Sequence, residues 1–295
     1  MSTHSSLFNT SRRLTLSGLF CATLLAACGK QTPSAPAPVA APAAPAAAAP
    51  AAAKVYVVGT DAAYAPFESM NPAGEVVGFD VDVVKAAAAK AGVELKFVNT
   101  PWEGIFKTLE TGERDMVVSA VTITDERKQT MDFSNPYFEA TQLIAIKTGG
   151  KITKLEDLKN LKVGVQNGTT GDEVVQKLQG KTSANTKRFE STPLALKELE
   201  NGGVSAVVAD NGVVQHYIQN NPGAKFVSIK DASFAPEQYG IAFKKGNAQL
   251  QKKMNEGLAA IKVDGSYDKI MVSYFGAAAA PSPTTAAAAT ASAAK

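Results

Sequence analysis

The sequence predicts an α/β protein made of two units, each built on a mostly parallel sheet. Three observations carry this. Short β-branched runs alternate with helix-like stretches, the βαβαβ order occurs twice along the chain, and several strand ends carry hydroxyls, acids or a guanidinium. In the first unit, residues 55–58, 95–98 and 115–119 read as strands. Residues 81–91 and 102–110 read as helices, the second closing on the C-cap pair Thr111-Gly112. In the second unit, strands are expected at 162–165, 187–189 and 205–208, with helices at 171–178, 193–200 and 211–219.

The chain has 295 residues, 45% hydrophobic and 19% charged, with a formal net charge of +3. That suits a globular body large enough for one domain or two smaller ones. No Lys/Arg stripe forms, so nucleic acid is not an expected partner.

The ends of the chain read differently. Arg12-Arg13 precede the apolar stretch Leu14 to Ala27, which is short for a membrane span and has the form of an export signal, residues 1–27. It closes on Leu25-Ala26-Ala27-Cys28, which resembles the lipobox of bacterial lipoproteins and makes Cys28 the expected lipid-modified N-terminus. The other cysteine, Cys21, lies inside the signal, so no disulfide or thiolate metal site is expected, and no cofactor. Residues 28–53 are almost all Ala and Pro, an expected tether of up to ~3.1 Å per residue where polyproline-like. The Ala-rich tail, 276–295, has the same character, leaving a folded body from about Lys54 to Phe275.

Ligands of open parallel sheets bind at the carboxyl ends of strands. There, "VGTDAAYAPFE" (58–68) brings Asp61 and Tyr64, readable either as a loop acid with a core-edge ring or as pocket groups. Asp80 stands before an apolar helix, where it would accept from that helix's first N–H groups. Trp102, the single tryptophan, is either core or a flat platform for a ligand. In "SAVTITDERKQ" (119–129), Thr122 and Arg127 can clamp a carboxylate, or Arg127 can pair with Asp125 or Glu126. The turn Gly168-Thr169-Thr170-Gly171 places N–H groups and hydroxyls at a helix start, an anion site without the lysine of a phosphate loop. Asp210 is either the N-cap of the next helix or a counter-ion for an ammonium. Together these groups outline an α-amino acid.

The stretches "GTDAAYAPFE", "GFDVDVV", "DMVVSAVTITDERKQTMDFSNPYF", "VGVQNGTTGD", "AVVAD" and "QYGIAFKKGN" resemble the polar-amino-acid solute-binding proteins of bacterial ABC importers, solute-binding protein family 3. The resemblance spans the whole body. It implies a type II periplasmic-binding-protein fold: two α/β lobes, two hinge strands and a ligand in the interlobe cleft. Lobe one would be 54–138 plus 239–275, and lobe two 139–238. It also implies that Arg127, Thr122 and the backbone at Ser119 and Ala120 hold the α-carboxylate and α-amine from lobe one. From lobe two, Gly168, Thr169 and Thr170 would meet the carboxylate and Asp210 the amine. Tyr64 and Trp102 would flank the side chain, with Asp61 as its polar partner and Gln166 near its end.

Two rings and an acid suit a cation, so arginine, lysine or histidine rank first and glutamine second. The expected partners are a free L-amino acid, an importer permease and, through Cys28, the periplasmic side of a membrane, with the protein acting as a monomer. A dehydratase on the same fold is the enzyme alternative, but no general acid stands out beyond the binding groups. Outside the signal the only histidine is His216, on an expected surface helix. A sensor domain would need a membrane helix and an output domain, and neither is evident in the sequence.

Overall fold

Residues 54–277 are described by the computed structural model; the export signal, the Ala/Pro tether, Cys28 and residues 278–295 lie outside the described residues. Two five-stranded sheets organise the body. One runs Glu94–Asn99, Val55–Thr60, Met116–Val117, Ala242–Lys244, Met131–Phe133; the other runs Thr186–Phe189, Val163–Gln166, Ala206–Asp210, Gln142–Lys147, Phe226–Ile229. The first three strands of each are parallel, and the fourth is antiparallel to both its neighbours. The mostly parallel expectation therefore holds with one reversed strand per sheet. That strand has a cause: in each sheet it is the one that follows a crossing from the other lobe. The two crossings, Phe138–Ala140 and Glu237–Tyr239, pair antiparallel with each other and form the hinge of a two-lobed fold.

Most expected elements are present, with shifted ends. The first helix, Phe79–Ala91, is capped by Gly92 in the left-handed region. The second begins only at Ile105, after Gly104 at φ 83°, so Trp102 lies in the turn before it rather than in the helix. The strand expected at 115–119 pairs only over Met116–Val117. Beyond it the chain turns sharply, because Ala120 sits at φ 46°. Two helices that the sequence reading did not assign, Ala248–Val263 and Ser266–Phe275, complete lobe one. The former packs so closely on Phe79–Ala91 that a Cβ at Gly257 would lie 2.1 Å from the Ala87 carbonyl oxygen.

The cores differ in chemistry. Lobe one centres on Phe67, Phe79, Tyr137, Phe138, Tyr239 and Phe243, whereas the two clusters of lobe two are mainly Val, Leu, Ile and Ala. Phe67 meets Phe138 at 5.0 Å and Tyr239 at 5.2 Å, both edge-to-face, so an aromatic cluster grips the hinge strands themselves. This anchors the hinge strands to the core of lobe one.

Candidate functional site

A cavity of ≈ 20 Å³ between the lobes is lined by Asp61, Tyr64, Trp102, Ser119, Ala120, Thr122, Arg127, Gln166, Thr169, Thr170 and Asp210. Eleven of the twelve residues singled out from sequence meet there, and the twelfth, Gly168, touches it through Arg127. A space of that size holds about one water, so nothing larger fits unless the lining groups move apart.

Arg127 is the cationic pole of the cavity. It starts a short helix just after the Thr122–Thr124 turn, and the Thr124 hydroxyl accepts its backbone N–H at 3.1 Å. Its guanidinium is buried, donating to the Thr122 carbonyl at 3.0 Å and, across the cleft, to the Gly168 carbonyl at 3.3 Å. Trp102 and Phe106 lie against it at 5.4 and 5.2 Å from their ring centres. Burial pushes its pKa down, opposed by Glu173, Asp210 and Glu237. Neither Asp125 nor Glu126 pairs with it, and among the described residues it forms no ion pair. A buried cation satisfied only by carbonyls is poised for a carboxylate.

The Gly168 turn departs from the simple anion nest. The Gly168 N–H already donates to Asp172 at 3.1 Å, and Asp172 pairs with Arg188 at 3.0 Å. Thr169 caps the helix, its hydroxyl accepting from the Asp172 N–H at 3.2 Å. Gly168 thus contributes a carbonyl to Arg127 rather than an N–H.

Asp210 marks the opposite pole. It stands at the N-cap position, yet its side chain makes no cap bond and faces the cleft. The Gln142 amide and the Tyr239 hydroxyl each donate to it at 2.5 Å. Burial, then the Glu237 charge, pushes its pKa up to about 6, against the pull of Tyr239, Tyr64 and Gln142. Tyr64 lines the same cavity as Asp210, and its ring stacks on Phe67 at 6.2 Å.

A second acid, Asp61, lines another part of the cavity. Its N–H donates to the Ser119 hydroxyl at 3.0 Å, and that hydroxyl donates to Glu68 at 3.0 Å. The Gln166 amide donates across the cleft to the Asp61 carboxylate at 3.1 Å and is itself fixed by Thr192. Burial raises the Asp61 pKa, with Gln166 and the Trp102 backbone N–H opposing.

Asp80 corrects the sequence expectation. Gly78 occupies the N-cap and Asp80 caps nothing. Its fully buried carboxylate instead accepts the Ala120 N–H at 2.8 Å and the Tyr137 hydroxyl at 2.6 Å. A left-handed alanine costs roughly 1 kcal/mol or more, and this bond holds it in place. Burial pushes the Asp80 pKa up to about 6, and burial together with Asp80 raises that of neighbouring Glu68.

Sequence reasoning missed Phe106, Gln142 and Glu237. The available signals were a lone amide heading the apolar strand Gln142–Lys147 and an acid on a hinge strand. His216 lies on the Asn211–Asn220 helix, half-buried, and accepts from Asn220 away from the cavity.

Residues 56–277 match the family described as bacterial extracellular solute-binding proteins, family 3. A probable histidine-binding protein of Neisseria gonorrhoeae is 45% identical over 261 residues, 87% of this chain and 93% of its own. Among solved structures, the arginine-, lysine-, histidine-binding protein of Geobacillus stearothermophilus superposes with a TM-score of 0.73 at 48% identity, covering 76% of this chain and 96% of that one. An ancestral arginine-binding protein, solved with arginine and again with glutamine, gives TM-scores of 0.72 and 0.71 at 43% identity, covering 75% of this chain and 98% of its own.

Proposed function

The chain belongs to the bacterial extracellular solute-binding proteins of family 3, and from that premise we propose that it captures a free basic L-amino acid outside the cytoplasm and delivers it to the permease of an ABC importer. The observation that carries this reading is Arg127, buried in the cleft and satisfied only by carbonyls of both lobes. A ligand carboxylate there completes the guanidinium, Asp210 takes the α-ammonium, and Asp61 between Tyr64 and Trp102 takes the side-chain cation. Ser119, Ala120, Thr122 and Gln166 complete the lining, with Thr169 and Thr170 beside the carboxylate. Relatives with histidine and arginine in their names support the same class. The reading is one of binding rather than catalysis, because every ionisable group of the cleft already has a binding role.

Glutamine is the second reading, favoured by one contact. The Gln166 amide satisfies Asp61 at 3.1 Å, so a ligand amide could do the same. Isothermal calorimetry with arginine, lysine, histidine and glutamine separates the two: a basic amino acid binding most tightly is expected, and glutamine binding most tightly reverses the ranking.

The protein works as a monomer, held to the membrane by lipid on Cys28 with residues 28–53 as the tether. Acyl chains at ~0.8 kcal/mol per buried CH₂ make two or more of them a stable anchor. Cys28→Ser should move the protein from the membrane fraction of cells to the soluble one, and a variant that stays with the membrane excludes this anchor.

A further inference from the structure

Glu237 lies on a hinge strand and reaches groups from both lobes. Its Oε2 accepts from the Thr122 hydroxyl of lobe one at 2.7 Å and from the Thr170 hydroxyl of lobe two at 2.9 Å. Its Oε1 accepts from the Gln142 amide at 2.9 Å, and that same amide donates to Asp210 at 2.5 Å. Two residues along the strand, and so on the same face, the Tyr239 hydroxyl also donates to Asp210. The hinge strand therefore bears on the Asp210 pole twice.

Hydroxyl protons decide what this does. A threonine hydroxyl has one proton to give and lone pairs to receive. At Thr170 the proton is given to Glu237, and the Gln142 amide nitrogen lies 3.2 Å from its oxygen. At Thr122 the proton is given to Glu237, so what it presents to the cavity is a lone pair. A lone pair cannot receive a carboxylate, but it receives an ammonium N–H. Asp210 beside it has the same polarity, and Gln142 ties the two carboxylates into one acidic pole.

We infer that Glu237 is a specificity-determining residue of the cleft: by taking the Thr122 proton and joining Asp210 through Gln142, it makes the pocket demand an α-ammonium group on its ligand. Glu237 positions acceptors and adds charge; Thr122 and Asp210 make the contacts. The inference rests on the amino-acid reading above. It also reassigns Thr122 from the carboxylate to the amine, leaving the carboxylate to Arg127.

The test is calorimetry on the full-length protein with two matched pairs, arginine against 5-guanidinopentanoate and histidine against imidazolepropionate. Each pair differs only in the α-amine. Wild type is expected to prefer the amino acid. Glu237→Gln, nearly the same shape without the charge, should lower that preference about tenfold or more, the usual scale for a hydrogen bond to a charged group. The loss should fall on the amino acid, with the amine-free analogue unchanged, and Glu237→Asp should restore part of it. Thr122→Val, which removes the lone pair itself, should also lower the preference if Glu237→Gln does not fold. Parallel weakening of both members of a pair would make Glu237 a hinge support only, and an unchanged preference would also overturn the inference. A wild type that binds no amino acid would overturn the amino-acid reading together with it.

Discussion

The two lobes share one strand plan and put different chemistry on it. Val58 pairs with Met116 in lobe one as Val163 pairs with Ala206 in lobe two, both parallel. Counting onward from those pairs, Asp61 corresponds to Gln166 and Ala120 to Asp210. The first correspondence is also a contact, because Gln166 donates to Asp61 across the cleft. The second separates the lobes. Where lobe one ends its strand in a left-handed alanine pinned by Asp80, lobe two ends it in a buried acid. Lobe one adds Arg127, so each lobe holds one pole of the proposed ligand. A zwitterion is then complete only when both lobes close on it, which ties recognition to the hinge rather than to either half.

Removing the lobe-one pole is the strongest way to break this division. Arg127→Ala should abolish amino-acid binding, since losing one member of a closed charge pair costs roughly 2–5 kcal/mol. Thermal unfolding should stay cooperative. Calorimetry placing the variant within threefold of wild type would show that the poles are not divided as described.

Removing the lobe-two pole should be milder and should carry a pH signature. An α-ammonium binds the ionised form of Asp210, whose pKa is about 6. Affinity should therefore be flat above about pH 7 and fall by up to about tenfold per unit below about pH 6. Asp210→Asn should weaken binding by about 1–3 kcal/mol and remove most of that slope. Stability should respond in the opposite sense. Because the folded-state pKa is raised above the usual carboxylate value, the folded protein holds the proton that the unfolded chain releases between about pH 4 and 6. The cost builds as pH rises through that window and persists above it. The ligand-free Asn variant should then be more stable than wild type at pH 7, by on the order of 1–3 kcal/mol, and little different at pH 4. Melting curves at the two pH values check both signs.

The lobes also differ in what their sequences disclosed. The strand ends were legible, because polar groups closing β-branched runs have few uses other than a site, and Asp61, Arg127 and Asp210 do meet at one cavity. The antiparallel strands Gln142–Lys147 and Ala242–Lys244 were not, since their place depends on hinge crossings that local pattern does not encode. Asp80 was misplaced for a related reason. A carboxylate at a helix start has an obvious local partner, and its actual partner is the Ala120 N–H, forty residues away. Glu237 and Gln142 escaped because their partners lie on other elements, which only the folded chain brings together.

The smallest expected effect concerns the Asp61–Gln166 correspondence, and it sharpens the comparison. Asp61 carries charge on lobe one where lobe two offers only an amide, so the side-chain end of the cleft should prefer a cation. Asp61 is partly buried, and that burial raises its pKa. A guanidinium there gains a charge-assisted bond, against the cost of its own desolvation, and burial brings these terms close to balance. Arginine should bind more tightly than citrulline, which keeps the shape and loses the charge, by roughly 1–3 kcal/mol. Asp61→Asn should remove most of that difference by making the two strand ends alike. Trp102→Leu should remove a smaller part, because that ring also faces Arg127 at 5.4 Å and serves the carboxylate pole as well. Competition of citrulline against arginine in the three proteins measures all of this. Equal affinities in wild type would mean that Asp61 works as an amide acceptor, and the ligand at that end would then be glutamine.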